Sequence, residues 1–186
     1  TPPRSSAASD VYKRQLFLTG NTDTVYASVF LDLEKDGPTV IEVPEGMGPT
    51  TVNDAFFRFV TDLGIVGPDK GKGGKYLILP PGYEGEVPEG YFVSQSTSYT
   101  NWFIARGFLK DGKTDAAMKA YKEKLKIYPL AKKDDQPKME FISGSGKPFN
   151  TIHANDEHFY EEIKMVLDKE PILSLIHISE PTRPLT

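Results

Sequence analysis

The sequence predicts a mainly β chain with helices, of α+β class. The expected core is an antiparallel β-sandwich or jelly-roll-like pair of sheets, with two C-terminal helices packed on it. Three observations carry this expectation. Residues 24–33 alternate with period two, setting Val25, Ala27, Val29, Leu31 and Leu33 against Thr24, Tyr26, Ser28, Phe30 and Asp32. Further β-branched and aromatic runs follow at short intervals as far as Phe108, separated by Gly and Pro clusters. Beyond Lys113 the apolar spacing changes to that of a helix.

Both ends stand apart from the rest of the sequence. The run from Ser5 to Gln15 and the run from Leu173 to Arg183 resemble in-frame translations of two sequencing adapters. Residues 1–15 and 173–186 are therefore expected to be non-native tails, and fold reasoning is confined to residues 16–172. Excluding the tails takes Lys+Arg from 22 to 18 and Asp+Glu from 26 to 24, a net charge of −6. That acidic balance, with no clustered basic run, excludes a nucleic-acid footprint. Cysteine is absent, which excludes disulfides and thiolate metal sites. No apolar stretch approaches the roughly 18–20 residues that a transmembrane helix needs. The remaining length suits one domain.

Thr24 to Leu33 reads as a strand with one face covered. Asp36-Gly37-Pro38 turns the chain, and Thr39 to Val43 returns as the second arm of a hairpin. Phe56 to Val60, Lys75 to Leu79, Tyr91 to Ser94 and Tyr99 to Phe108 are further strands, and their short spacing implies antiparallel pairing. Thr114 caps a first helix with Ala117, Met118, Tyr121 and Leu125 on its apolar side and Pro129 at its stop. Met139 to Ile142 is a short strand. A second helix follows Asn155 as cap, with Phe159, Ile163, Val166 and Leu167 as its buried stripe.

Several motifs that suggest chemistry fail on spacing. In Lys70-Gly71-Lys72-Gly73-Gly74-Lys75 the residue after Gly74-Lys75 is Tyr76, and Asp69 stands where a phosphate loop needs its first glycine. The run reads as a turn entering a strand. His153 and His158 are five residues apart across a cap, so they diverge rather than converge on a metal. Ser143-Gly144-Ser145-Gly146 lacks the preceding glycine of a nucleophile elbow. The lysines between Lys110 and Lys133 are interspersed with acids, the pattern of a solvated helix face. Trp102 and Phe103 point to opposite faces of one strand, so Trp102 lines either the core or a pocket, with burial the expectation. Asp23, Asp54 and Glu42 are the carboxylates from which an acid/base pair could be drawn.

The polar cluster Asn21-Thr22-Asp23-Thr24-Val25-Tyr26 sits at a loop-to-strand transition. Asn and Asp there set turns through side chain to backbone bonds, and the same groups can line a pocket mouth beside the Tyr26 phenol. Asn21, Asp23, Thr24 and Tyr26 are the candidate ligand contacts, with Trp102 and Arg106 on the Tyr99 to Phe108 strand.

At this cluster the chain resembles the DUF1254 domain family. Matching stretches are Asn-Thr-Asp-Thr-Val-Tyr at 21–26, Gly-Pro-Thr-Val-Ile-Glu-Val-Pro at 37–44, Gly-Gly-Lys-Tyr-Leu-Ile-Leu-Pro-Pro-Gly-Tyr at 73–83 and Ile-Ala-Arg-Gly-Phe-Leu at 104–109. The family usually has Pro where Gly20 stands. The resemblance implies a β-sandwich or jelly-roll-like domain carrying helices, with a helical segment expected upstream of Leu16. It also implies a second β domain, DUF1214, beyond Ile172, so residues 16–172 are read as an interior fragment. Relatives look exported, which implies a periplasmic or cell-envelope location. The family supplies no reaction to carry over.

The expected function is a ligand-binding or partner-binding module rather than an enzyme, without metal or cofactor. A carboxylate-dependent hydrolase or lyase near Asn21 and Asp23 is the alternative. An oligomerising structural module is another.

Overall fold

The computed structural model of the protein describes residues 24–144, 147 and 152–171, so both end segments, Asn21 and Asp23 lie outside the described residues. Two four-stranded sheets share one core. The first contains β1 (Thr24–Asp32), β3 (Thr50–Asp54), β4 (Phe59–Leu63) and β7 (Thr100–Phe108), in the order β1-β7-β3-β4 and antiparallel throughout. The second contains β2 (Thr39–Val43), β5 (Gly74–Leu79), β6 (Phe92–Gln95) and β8 (Lys126–Pro129), in the order β6-β5-β2-β8. Leu31, Val52, Leu63, Phe103 and Ala105 from the first sheet meet Ile41, Val43, Tyr76 and Ile78 from the second. Burying these side chains from both inner faces is what holds the layers together.

The α+β class and the strand-rich first two-thirds stand as the sequence predicts. The hairpin between residues 24–33 and 39–43 does not form. β1 pairs with β7 over its whole length, whereas β2 lies in the other sheet between β5 and β8. The cause is local. Leu33 is buried and its N–H donates to Tyr99 O at 2.8 Å, which pins the end of β1 beside β7. A single helical turn, α1 (Leu33–Asp36), capped by the Asp32 carboxylate, then reaches Gly37 at φ 67°. Glycine takes that left-handed conformation without steric cost, and the chain crosses between layers.

The expectation of wholly antiparallel pairing also needs correction, because β5 and β6 are parallel. Residues 80–91 make an excursion over the outer face of the second sheet, so β6 re-enters in the direction of β5. Tyr83 and Tyr91 from that excursion pack on Val40, Leu77, Leu79 and Tyr128. Both faces of this sheet are thus covered, which explains the nearly continuous apolar run of β5.

The strand expected at residues 56–60 begins at Phe59, because the Asp54 carboxylate draws residues 54–58 into a tight turn. The first C-terminal helix, α2 (Asp115–Lys124), buries Ala117 and Tyr121 against the core, and its lysines face outward. It stops at Lys124 rather than near Pro129, because Leu125 is extended and leads into β8. Thr114 holds the N-cap position without a side-chain capping bond. Met139 to Ile142 is not a strand. Met139 Sδ instead accepts the Ile127 N–H, and Phe141 packs on the core.

The second helix, α3 (His158–Lys169), starts where the Asp156 carboxylate accepts the His158 N–H at 3.0 Å. Its expected buried stripe is on the surface, since Ile163, Val166 and Leu167 are exposed. The helix is held by its end. Glu170 is buried and accepts the N–H groups of Tyr99 at 2.6 Å and Thr100 at 2.8 Å, and Lys169 pairs with Asp32 at 2.9 Å. Anchoring by charge-assisted hydrogen bonds replaces docking of the apolar face. Among the described residues no helix is long and apolar enough to cross a membrane.

Candidate functional site

Period-two alternation on two antiparallel strands decides which side chains become neighbours. On β1 the even-numbered residues point away from the core, and on β7 Trp102, Ile104 and Arg106 do the same. The register sets Tyr26 opposite Arg106 and Phe30 opposite Trp102. The Arg106 guanidinium lies 5.4 Å from the centre of the Tyr26 ring, within cation–π range. Of the predicted site residues, the structure therefore brings together Tyr26, Trp102 and Arg106 on one open face. Thr24 is at the end of the same face, opposite Phe108.

Trp102 is half-buried on this outer face rather than in the core, where sequence reasoning expected it. The register explains the difference. Phe103 takes the inward position and fills the core, so its neighbour must point outward. The indole is held on the surface by a hydrogen bond from Nε1 to Ser28 Oγ at 2.7 Å. It is flanked by Phe30, with ring centres 6.4 Å apart and planes 21° from parallel, and by Phe57 at 5.3 Å. Phe30 is 69% exposed and Phe57 is 71% exposed. Phe59, opposite Asn53 on β3, is 68% exposed on the neighbouring strand. Phe30 and Phe57 beside one tryptophan, with Phe59 exposed beyond Asn53, make an aromatic shelf, a larger apolar exposure than scattered surface residues explain.

A hydrogen-bonded turn builds one end of the shelf. The buried Asp54 carboxylate accepts the N–H groups of Phe56 at 2.9 Å and Arg58 at 2.8 Å, Arg58 Nε at 2.6 Å and the Thr97 hydroxyl at 2.8 Å. Burial pushes this carboxyl up, but the bonds from Arg58, Thr97 and Phe56 outweigh it and hold Asp54 below the ordinary aspartate range. Arg58 reaches on to Thr97, and the buried Ser98 hydroxyl accepts the Ala55 N–H. This network fixes Phe57 in a left-handed conformation at φ 63°, a region that costs an L-residue energy and that persists only when its surroundings impose it. The imposed conformation leans Phe57 toward Trp102.

Sequence reasoning missed Phe30, Phe57 and Arg58 as parts of this face. The available signal was Asp54 at the head of a turn followed by tandem phenylalanines, which an Asx turn presents rather than buries. Of the other candidate carboxylates, Asp23 lies outside the described residues and Glu42 is used by the fold. Glu42 accepts from Tyr128 Oη at 2.5 Å and pairs with Lys75 at 3.2 Å, on the opposite sheet from Asp54. Asp69 accepts from the Tyr76 hydroxyl and from the Gly73 N–H at 3.1 Å, which organises the glycine-rich turn. His153 and His158 are engaged locally, with Ala154 O and the Asp156 carboxylate.

A family model described as "Protein of unknown function (DUF1254)" matches residues 3–129. No curated protein matches the chain. Among solved structures, the chain is similar to the VPA0106 protein from Vibrio parahaemolyticus, with a TM-score of 0.59 and 18% identity. The similarity covers 89% of this chain and 44% of that one, so the chain spans less than half of its neighbour's length.

Proposed function

The chain belongs to the DUF1254 family, and from that premise we propose that it is a binding module that works through the outer face of the first sheet. The observation that carries this reading is Trp102, held at the surface by Ser28 and flanked by Phe30 and Phe57. Aromatic rings on a flat sheet offer large contact area at small entropic cost, and Arg106, Asn53 and Arg58 supply polar groups at the rim. An extended ligand or a partner segment laid across β1, β7 and β3 fits this geometry. A cell-envelope protein is the proposed setting, inherited from the family resemblance. Asp54 and Glu42 hold the fold, so the carboxylate alternative rests on Asp23, which lies outside the described residues.

Trp102 is the only tryptophan in the chain, so its emission reports directly on the shelf. The test is a titration of the chain with soluble glycans and with peptides, followed by indole fluorescence and repeated on Trp102→Ala. A ligand that shifts the emission and loses at least tenfold in affinity on Trp102→Ala supports the proposal. A ligand that binds equally to both proteins and leaves the emission unmoved overturns it.

A further inference from the structure

Arg106 is a cation on the outer face of the first sheet that the fold leaves without an anion. The residue is exposed, and its guanidinium lies over the Tyr26 ring. A cation above an aromatic face interacts through its charge and keeps its N–H groups for hydrogen bonds. Among the described residues no carboxylate forms an ion pair with Arg106. The acids of the neighbouring strands are engaged elsewhere or set apart. Asp32 pairs with Lys169 at 2.9 Å, and Asp54 pairs with Arg58 at 2.6 Å. Asp62 stands opposite Thr51 on β4, two strands from β7. Glu140 and Tyr26 line the same space at the open edge of β1, and Glu140 makes no ion pair there. In a chain of negative net charge, an exposed arginine without an acid partner is a ready site for an anion from outside.

The strand β7 fixes how far this cation lies from the shelf. Trp102, Ile104 and Arg106 share its outer face, and a strand rises about 3.3 Å per residue, so the indole and the cation stand about 13 Å apart. The ground between them is apolar. Half-buried Ile104 is at the midpoint, opposite Ser28, whose hydroxyl already accepts the indole N–H. A hydroxyl-rich guest such as a glycan would find few partners along this path. A hydrocarbon body has no polar group to leave unpaired on it.

We propose that the outer face binds an elongated amphiphile, an apolar body ending in one carboxylate, with the body on Trp102, Phe30 and Ile104 and the carboxylate on Arg106. This rests on the shelf being a binding face, and it adds the class of ligand and the direction in which the ligand lies. Arg106 sets specificity, because its fork of donors matches a carboxylate in a two-point contact. The aromatic rings supply contact area that is indifferent to the charge at the far end.

The experiment titrates the full chain with decanoate, decan-1-ol and decylammonium, each below its aggregation limit, by isothermal titration calorimetry with Trp102 emission followed in parallel. Decanoate is expected to shift the emission and to bind about tenfold more tightly than decan-1-ol, the effect of one exposed charge-assisted pair. Decylammonium is expected to bind more weakly than the alcohol. Added salt should shrink the decanoate preference and leave the alcohol unchanged. Arg106→Gln is expected to bring decanoate to the level of decan-1-ol, whereas Trp102→Ala weakens both by the same factor. Equal binding of decanoate and decan-1-ol, a preference that salt does not touch, or one that survives Arg106→Gln overturns the role of Arg106 and leaves the shelf reading standing. Absence of decanoate binding overturns the ligand class, and a glycan or peptide that then binds with shifted emission shows that the shelf reading survives. Decanoate binding that Trp102→Ala leaves unchanged overturns the placement of the body on the shelf.

Discussion

Gly107 is a point of close approach between β7 and α2, and replacing it by alanine tests how that helix is seated. A Cβ at this position would lie 2.7 Å from the Ala117 Cβ, 2.8 Å from the Tyr121 hydroxyl and 3.2 Å from the Tyr121 ring carbon that bears it. Carbon atoms in contact prefer about 3.5–4.0 Å, so α2 must withdraw by roughly 1 Å or Tyr121 must leave its rotamer. Overpacking of this kind costs about 1–3 kcal/mol. For a chain of this size a loss of about 2 kcal/mol lowers Tm by roughly 4–8 °C. Urea unfolding followed by circular dichroism and by Trp102 emission measures the loss. The double variant Gly107→Ala with Tyr121→Phe removes one of the two short contacts. It is expected to recover part of the loss, with a coupling of at least about 0.5 kcal/mol. Gly107→Ala within about 0.5 kcal/mol of the parent, or strictly additive effects in the double variant, would refute the close approach.

Other expectations rest on features of the same two layers. Phe57→Asn removes an aromatic from the shelf but suits the left-handed backbone at φ 63°. It should weaken shelf binding while leaving stability unchanged or raising it by up to about 1 kcal/mol, read by titration and melting on one sample. Asp54 has a folded-state pKa below its ordinary value of 3.8. Its contribution is therefore complete above the unfolded pKa and lost as pH falls through the folded one. In melts between neutral pH and pH 2, Asp54→Asn should be less stable than the parent at neutral pH and converge with it at the acid end. Glu170→Ala leaves the N–H groups of Tyr99 and Thr100 without their acceptor. A loss of about 2–4 kcal/mol is expected, together with faster amide hydrogen exchange along α3. Unchanged exchange in that helix would show that something other than Glu170 anchors it.

The alternation of residues 24–33 declared both the strand and its inward face, because side-chain period depends only on local backbone geometry. It could not declare the partner. Sheet neighbours are chosen by what closes the core, and β7 wins over the nearer β2 because Leu33 is pinned at Tyr99 and Gly37 redirects the chain. The same limit explains α3. Its apolar spacing is that of a buried stripe, yet Glu170 fixes the helix by its C-terminal end, a contact between residues 70 positions apart in sequence that no periodicity encodes. At the candidate site, Tyr26 and Arg106 were legible as polar groups on strands, while the shelf was not. It forms only when the register sets Phe30 opposite Trp102 and when a buried carboxylate bends residues 54–58 so that Phe57 meets the indole.

The pairing of β1 with β7 has a consequence for how the chain comes to be folded. Thr24 finds its partner at Phe108, so the first sheet cannot zip outward from a hairpin as β3 and β4 can. Everything from α1 to β6 must be held as a closed loop before that ladder repays its entropy, and contacts of such sequence separation slow folding into the millisecond-to-second range. During synthesis β1 leaves the ribosome long before its partner exists. It waits as an unpaired apolar strand, which makes residues 24–33 the stretch of this chain most in need of protection from misassembly.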